Sequence, residues 1–283
     1  MEDVARSPHA QRASLTYSAA ADHYDLPALS FWRRFGEQTI RRAGVQPGDH
    51  VVDLCCGSGA SALAAARATG PHGRVLGIDV ADGLLALARE KAACEGLENV
   101  EFVHRDATAT GLVSEGANVV VCVFGVFFAP DMAAFVAEMW RLVTPGGRLA
   151  VTTWGPSLFE PGNSIFWDSV REVEPSLYKA FNPWDSLTRT QPVLDLFSAV
   201  GAGVPVIDAV AGRQQLDRPS DFWQVVMGSG YRNTVDALQP ARRSSLRNIV
   251  IQRLEAEAVH DITVDVLYAV SRKPLSLPLA KPA

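Results

Sequence analysis

No segment of this 283-residue chain is apolar for long enough to cross a bilayer. The longest nearly uninterrupted apolar run, Val119 to Pro130, falls well short of the ~20 residues a membrane helix needs. Positive charge does not accumulate either. There are 26 Lys and Arg against 31 Asp and Glu, and no run holds more than two basic residues, which excludes a nucleic-acid binder that relies on bulk charge. Arg33-Arg34, Arg41-Arg42 and Arg242-Arg243 read as solvated helix faces. Cysteine is scarce: four residues, two of them adjacent (Cys55, Cys56), give neither a disulfide framework nor a C-x-x-C pair. The six histidines fall at no metal-ligand spacing, so no structural zinc or other metal is expected. The N-terminus lacks the apolar stretch of a signal peptide, and Leu279-Ala280-Lys281-Pro282-Ala283 carries no prenylation box, so the expected location is cytoplasmic.

What is present is alternation. His50 to Leu54 reads as a strand, Ser61 to Thr69 as a helix and Arg74 to Ile78 as a second strand. Ala81 to Cys94 is helical, Val100 to His104 is a strand, and Val119 to Phe124 is apolar on both faces, as a central parallel strand requires. Asp131 opens a helix that stops at Pro145-Gly146-Gly147, and Arg148 to Trp154 is a fifth strand. Strict alternation predicts an α/β fold: a doubly wound, seven-stranded, mostly parallel Rossmann-like sheet. After Trp154 the text becomes rich in proline and aromatics, with helices near Ser164 to Glu174, Pro192 to Val200, Pro219 to Met227 and Ala241 to Ala258. Strands are expected at Val204 to Val210 and Ile262 to Val270. The expected division is an N-terminal helical lid (1–45), a core (46–155), a cap insertion (156–190), a core continuation (191–215), a second cap (216–260), then a last strand and tail (261–283).

The most informative segment is Val51-Val52-Asp53-Leu54-Cys55-Cys56-Gly57-Ser58-Gly59-Ala60, a strand and glycine turn leading into a helix N-terminus. Gly57 and Gly59 have no Cβ to keep a ligand from the backbone N–H groups. Gly57 to Ala62 also fits the G-x-G-x-x-A pattern of a dinucleotide fingerprint, so a nicotinamide-dependent oxidoreductase is one reading. Three acids favour another. Asp53 ends the first strand, where a carboxylate repels a pyrophosphate but suits an ammonium and a sulfonium. Asp79 ends the second, where an acid can take both ribose hydroxyls, and Asp106 follows the third, where it can accept an adenine amino group.

With these residues the chain resembles the class I S-adenosylmethionine (SAM) dependent methyltransferases. Val51 to Ala60 is similar to their motif I, and Arg74 to Ala81, Val100 to Ala107, Asn118 to Pro130 and Arg141 to Thr152 to the motifs that follow. The resemblance runs from about Tyr17 to Trp154, with a weaker echo in the last strand, and is greatest to small-molecule enzymes similar to ubiquinone/menaquinone C-methyltransferases. It implies SAM as cofactor and a methionine moiety lined by Gly57 and Gly59, with Cys55 and Ser58 in the same turn. It also implies that Asp79 holds the ribose, Val80 packs on the adenine, Asp106 and Ala107 meet the adenine edge, and Phe124 sits near the amino group. Tyr24, in the Tyr24-Asp25 pair, would close over the cofactor. Cys55 departs from the family's first glycine, so the backbone there is expected to avoid a glycine conformation; Asn118 replaces an acid of mainly structural use.

The aromatic segments predict an apolar acceptor pocket, with Phe127, Phe128, Trp154, Phe166 and Trp223 as its candidate walls. The acceptor is therefore expected to be a small, largely apolar or aromatic molecule rather than a nucleic acid; a homodimer is compatible with this reading. His23 is the one candidate general base, and Glu172 and Glu174 read as solvated. A SAM-fold protein that binds the cofactor but catalyses another reaction, or only binds, is the second alternative.

Overall fold

The computed structural model describes residues 8–275, so the expected tail at Leu279 to Ala283 lies outside the described residues. Helices α1 (Pro8–Ala20) and α2 (Phe31–Ala43) precede β1 (His50–Leu54). Then α3 (Ala60–Thr69), β2 (Arg74–Asp79), α4 (Asp82–Cys94), β3 (Val100–His104), β4 (Ala117–Val123), α5 (Met132–Leu142) and β5 (Val143–Trp154) alternate as the apolar pattern requires. Beyond them lie α6 (Gly162–Val173), α7 (Thr190–Ala199), β6 (Val206–Val210), β7 (Arg213–Gln215), α8 (Phe222–Met227), α9 (Arg232–Asp236), α10 (Pro240–Ala256), β8 (Asp261–Thr263) and β9 (Val266–Arg272).

The seven-stranded sheet runs β3-β2-β1-β4-β5-β9-β6. Its pairings from β3 to β5 are parallel, while β9 runs antiparallel to both neighbours. Alternation along the central strands feeds two cores. Val51, Val119 and Val121 pack with the alanine-rich helix α3 and with α4, while Val52, Leu54, Val120 and Cys122 face α5 and the caps. The sequence order reverses between β1 and β4, so the carboxyl ends of those two strands flank the crevice where open α/β sheets hold ligands.

Two expected boundaries differ. Strand β5 begins at Val143, before the glycines, because Val143 pairs with Ala117 across a register shift. The final strand is split: β8 pairs with β7 in a separate two-stranded sheet, and only β9 joins the main one. Asn118 is structural, its Oδ1 accepting the His50 N–H at 2.8 Å. Glu172 and Glu174 are not simply solvated; each pairs with an arginine of α10, Arg253 and Arg242, tying the first cap helix to the second.

Helices α2 and α3 cross at Gly36, where an added Cβ would lie 2.7–2.9 Å from the Ala60 carbonyl carbon, the Ser61 nitrogen and the Ala60 Cβ. Backbone cannot move aside as a side-chain tip can, so Gly36→Ala is expected to destabilise the fold by about 1 kcal/mol or more. Urea denaturation checks this; an unchanged midpoint would mean that the two helices slide apart freely.

Candidate active site

At the end of β1 the chain reverses through the glycine turn. Cys55 takes a left-handed conformation, φ 61°, contrary to the expectation of a non-glycine backbone there. Its thiol and Cβ are held against Gly125, where an added Cβ would fall 2.4 Å from the Cys55 Cβ. At the matching end of β4, Phe124 is also left-handed, φ 55°. Such residues cost of order 1 kcal/mol or more each and persist where surrounding packing over-determines them. Packing here is dense: the Phe124 ring stacks on Trp154 at 3.8 Å.

Asp79, at the tip of β2, organises the turn. Its Oδ2 accepts the Gly57 N–H at 2.8 Å and its Oδ1 the Ala81 N–H at 2.9 Å. Burial nonetheless raises its pKa. Above the turn lies a cleft open to solvent, with an enclosed cavity volume of about 100 Å³. Of the residues expected at the cofactor, Tyr24, Cys55, Gly57, Asp79, Val80, Asp106, Ala107 and Phe124 all line it. Tyr24 Oη stands 3.5 Å from the point a Cβ on Gly57 would occupy, so only bare backbone leaves the slot between lid and turn open. Asp106 spends Oδ1 on the Thr108 N–H and hydroxyl, at 2.9 and 2.7 Å.

Four residues expected at the cofactor or as general base lie elsewhere. Asp53 is 0% exposed; its Oδ2 accepts the Ser61 hydroxyl at 2.7 Å and its Oδ1 has no partner among the described residues. It serves the first turn of α3 under the cavity and does not line it. Ser58 donates to Asp25 at 3.2 Å and accepts from Lys91 at 2.9 Å, and Lys91 also pairs with Asp25, so Ser58 belongs to a clasp between lid and turn. Gly59 faces the opposite way: a Cβ there would meet Ala88, Leu63 and Phe102 at 3.1–3.3 Å, so its smallness serves packing. His23 lines neither this cavity nor the chamber described next; its Nδ1 lies 2.6 Å from Asp22, itself paired with Arg232.

Behind the cavity is a smaller, tightly packed aromatic chamber, with a free volume of only about 20 Å³. Phe127 and Trp154 line it as expected, whereas Phe128 lines the larger cavity. Phe166 and Trp223 line neither. Phe166 is fully buried, stacked on Tyr231 at 4.9 Å, and Trp223 packs at the margin of the core. Sequence reasoning missed Tyr17 and Trp32, which line both spaces, and Phe159, Trp184 and Tyr231 in the chamber. For Tyr17 the available signal was its place in Tyr17-x6-Tyr24-Asp25; for the cap rings none separates wall from core.

The described lining of the larger cavity carries two carboxylates, Asp79 and Asp106, and no lysine or arginine. Such a lining suits a cationic nucleoside and disfavours the pyrophosphate of a dinucleotide. With Asp53 withdrawn below the cavity, these two acids carry that argument. The bare-backbone slot at Gly57 and the Asp79 carboxylate fit a SAM molecule: Asp79 would hold the ribose and Asp106 with Ala107 the base, with Tyr24 above.

Residues 11–168 match the model of the ubiE/COQ5 methyltransferase family. A demethylmenaquinone methyltransferase of Geobacillus kaustophilus is 32% identical over 154 residues, covering 53% of this chain and 66% of the relative. One of Bacillus cytotoxicus is 34% identical over 143 residues, covering 49% and 60%. The chain thus spans just under two thirds of the length of these relatives. Among solved structures, the 4+2 cyclase SpnF superposes with a TM-score of 0.60 at 16% identity, covering 95% of this chain and 98% of that one. A Haemonchus contortus phosphoethanolamine N-methyltransferase in complex with S-adenosylhomocysteine gives a TM-score of 0.56 at 15% identity, covering 95% and 61%. At these identities the structures speak for the fold alone.

Proposed function

Since the chain belongs to the ubiE/COQ5 methyltransferase family, we propose that it is a SAM-dependent methyltransferase acting on an O, N or C atom of a small, largely apolar or aromatic molecule. One observation carries this reading: an acid-lined cavity without lysine or arginine in its described lining adjoins an aromatic chamber, and both share the rings of Tyr17, Trp32 and Phe124. When bound, the cofactor supplies a methyl group on a cationic sulfur, which becomes a neutral thioether on transfer. Charge disperses in such a displacement, so alignment and water exclusion count for more than a charged catalytic group. The buried rings of Phe124, Trp154 and Phe127 shape that apolar space, and Asp79 would anchor the cofactor through its ribose. No residue is assigned as general base. Of the expected lid, 1–45, the described part, 8–45, acts as the lid in this reading, residues 1–7 lying outside the described residues, and 156–190 and 216–260 act as caps.

Most of the chamber wall lies within the family-matched residues 11–168, and Trp184, Ser229, Gly230 and Tyr231 add a side from outside them. The acceptor would then be selected by family-matched rings and cap residues together, within the quinone-like aromatic class that the relatives' name suggests. Incubation with methyl-labelled SAM and a panel of phenols, hydroquinones and aromatic amines tests the reading. Label transfer to a panel member is expected. Cofactor binding without transfer would instead favour a protein that uses the fold for other chemistry, and failure to bind SAM would overturn the assignment.

A further inference from the structure

Tyr17, Trp32 and Phe124 form the boundary between the two spaces, so an acceptor atom approaching the methyl group must pass these rings. Trp32 differs from the other two. Its indole Nε1 is buried and has no hydrogen-bond partner among the described residues, and its side chain is only 9% exposed. Its surroundings are aromatic: Tyr24 stacks on it at 5.1 Å with an interplanar angle of 1°, and Phe31, Phe124 and Trp154 lie 4.7–5.6 Å away between centroids. A buried N–H without an acceptor is costly, and buried indoles nearly always find one. Trp167, whose indole nitrogen is also unpartnered, lines neither space. Of these two indoles, Trp32 is the one whose side chain borders both spaces, so a ligand bound there is the candidate source of the missing lone pair.

We propose that Trp32 is a specificity-determining residue whose indole N–H donates a hydrogen bond to an oxygen or ring-nitrogen lone pair of the acceptor. The site then favours an aromatic molecule bearing such an atom over a hydrocarbon of the same shape. The proposal rests on the reading of the chamber as the acceptor site. A fixed hydrogen bond at the boundary would also set the rotation of the acceptor ring, which an otherwise featureless apolar chamber leaves free. A second polar atom stands nearby: Tyr17 Oη lies 3.3 Å from where a Cβ on Gly230 would project, and burial raises its pKa, keeping the hydroxyl protonated.

The test uses the full chain saturated with S-adenosylhomocysteine, with 1-naphthol and naphthalene as probes. Trp32→Phe keeps a ring but removes the donor. The ratio of naphthol to naphthalene affinity is expected to fall on the order of five- to tenfold in the variant. An unchanged ratio, or equal loss for both probes, would reduce Trp32 to packing and overturn the proposal. If the variant does not fold, the indole N–H resonance in wild-type protein labelled with 15N-tryptophan decides. A downfield shift with 1-naphthol but not with naphthalene supports the hydrogen bond, and identical responses overturn it. Failure of 1-naphthol to bind overturns it as well, whereas 1-naphthol binding with none measurable for naphthalene supports it. Naphthol-selective binding without any methyl transfer from SAM would leave this proposal standing and sink the methyltransferase reading.

Discussion

Replacing Asp79 with alanine is expected to weaken SAM binding by about 1.5–3 kcal/mol, roughly ten- to 150-fold in Kd. The carboxylate has two tasks. It holds the Gly57 and Ala81 N–H groups, and it lines the cavity where a ribose diol would donate to its remaining lone pairs. Alanine removes both, leaving two backbone donors of the turn without their acceptor. Asp79→Asn separates the tasks, since the carboxamide oxygen can still take one backbone bond while the charge is gone; its affinity should fall between wild type and alanine. Because burial raises the Asp79 pKa, wild-type affinity is also expected to decline on acidification at a higher pH than an ordinary carboxylate would dictate. Calorimetry of all three proteins, with thermal midpoints alongside, provides the check. An alanine variant that binds SAM normally would remove Asp79 from the ribose, and a lowered midpoint with unchanged affinity would confine it to the turn.

The acids at the strand tips show how far a sequence can be read toward a site and where the reading fails. Asp79 and Asp106 were legible because each closes an apolar run just before a turn, and strand ends in a doubly wound sheet converge on one edge. Asp53 ends a strand in the same way, but it lies two residues after Val51, and alternation sends both to the side where α3 packs. That parity was available in the text and outweighs the nearness of the glycine turn. Gly59 fails for a related reason. A glycine pattern states that a Cβ is unwelcome without saying whether ligand or protein excludes it, and here Phe102 and Ala88 do.

Chemical character was easier to read than position in the caps. Aromatic density after Trp154 pointed to an apolar pocket, yet Phe166 turned into the core while Trp184, thirty residues from Trp154, reached the chamber. Rings that line a void and rings that fill one carry the same hydrophobic signal, and only tertiary packing distributes them. Cys55 adds a converse case. A turn that the family builds with glycine keeps its left-handed backbone here with a thiol in place, because Gly125 from the next strand leaves room for the side chain. The strain is tolerated because the other side of the contact is small.

The withdrawn Asp53 gives the second large expected effect, on stability. Burial pushes its pKa from 3.8 up to about 7, opposed by the bond from Ser61 and reinforced by the nearby Asp79 charge. A raised folded-state pKa means that the native protein holds this proton more tightly than the unfolded chain does. Its contribution is therefore fully present below about pH 4 and is lost as pH rises toward about 7, at roughly 1.4 kcal/mol per pH unit. Asp53→Asn removes the titration while keeping an oxygen to accept from Ser61. Between pH 5 and pH 8 the variant is expected to gain about 2–3 kcal/mol relative to wild type, since about two pH units of that window fall below the shifted pKa. Titration of Asp79 is common to both proteins and drops out of the difference to first order. Urea denaturation of the pair at the two pH values measures it. A difference independent of pH would mean that Asp53 is ionised throughout, with its second oxygen solvated, and that α3 rests on a charged carboxylate.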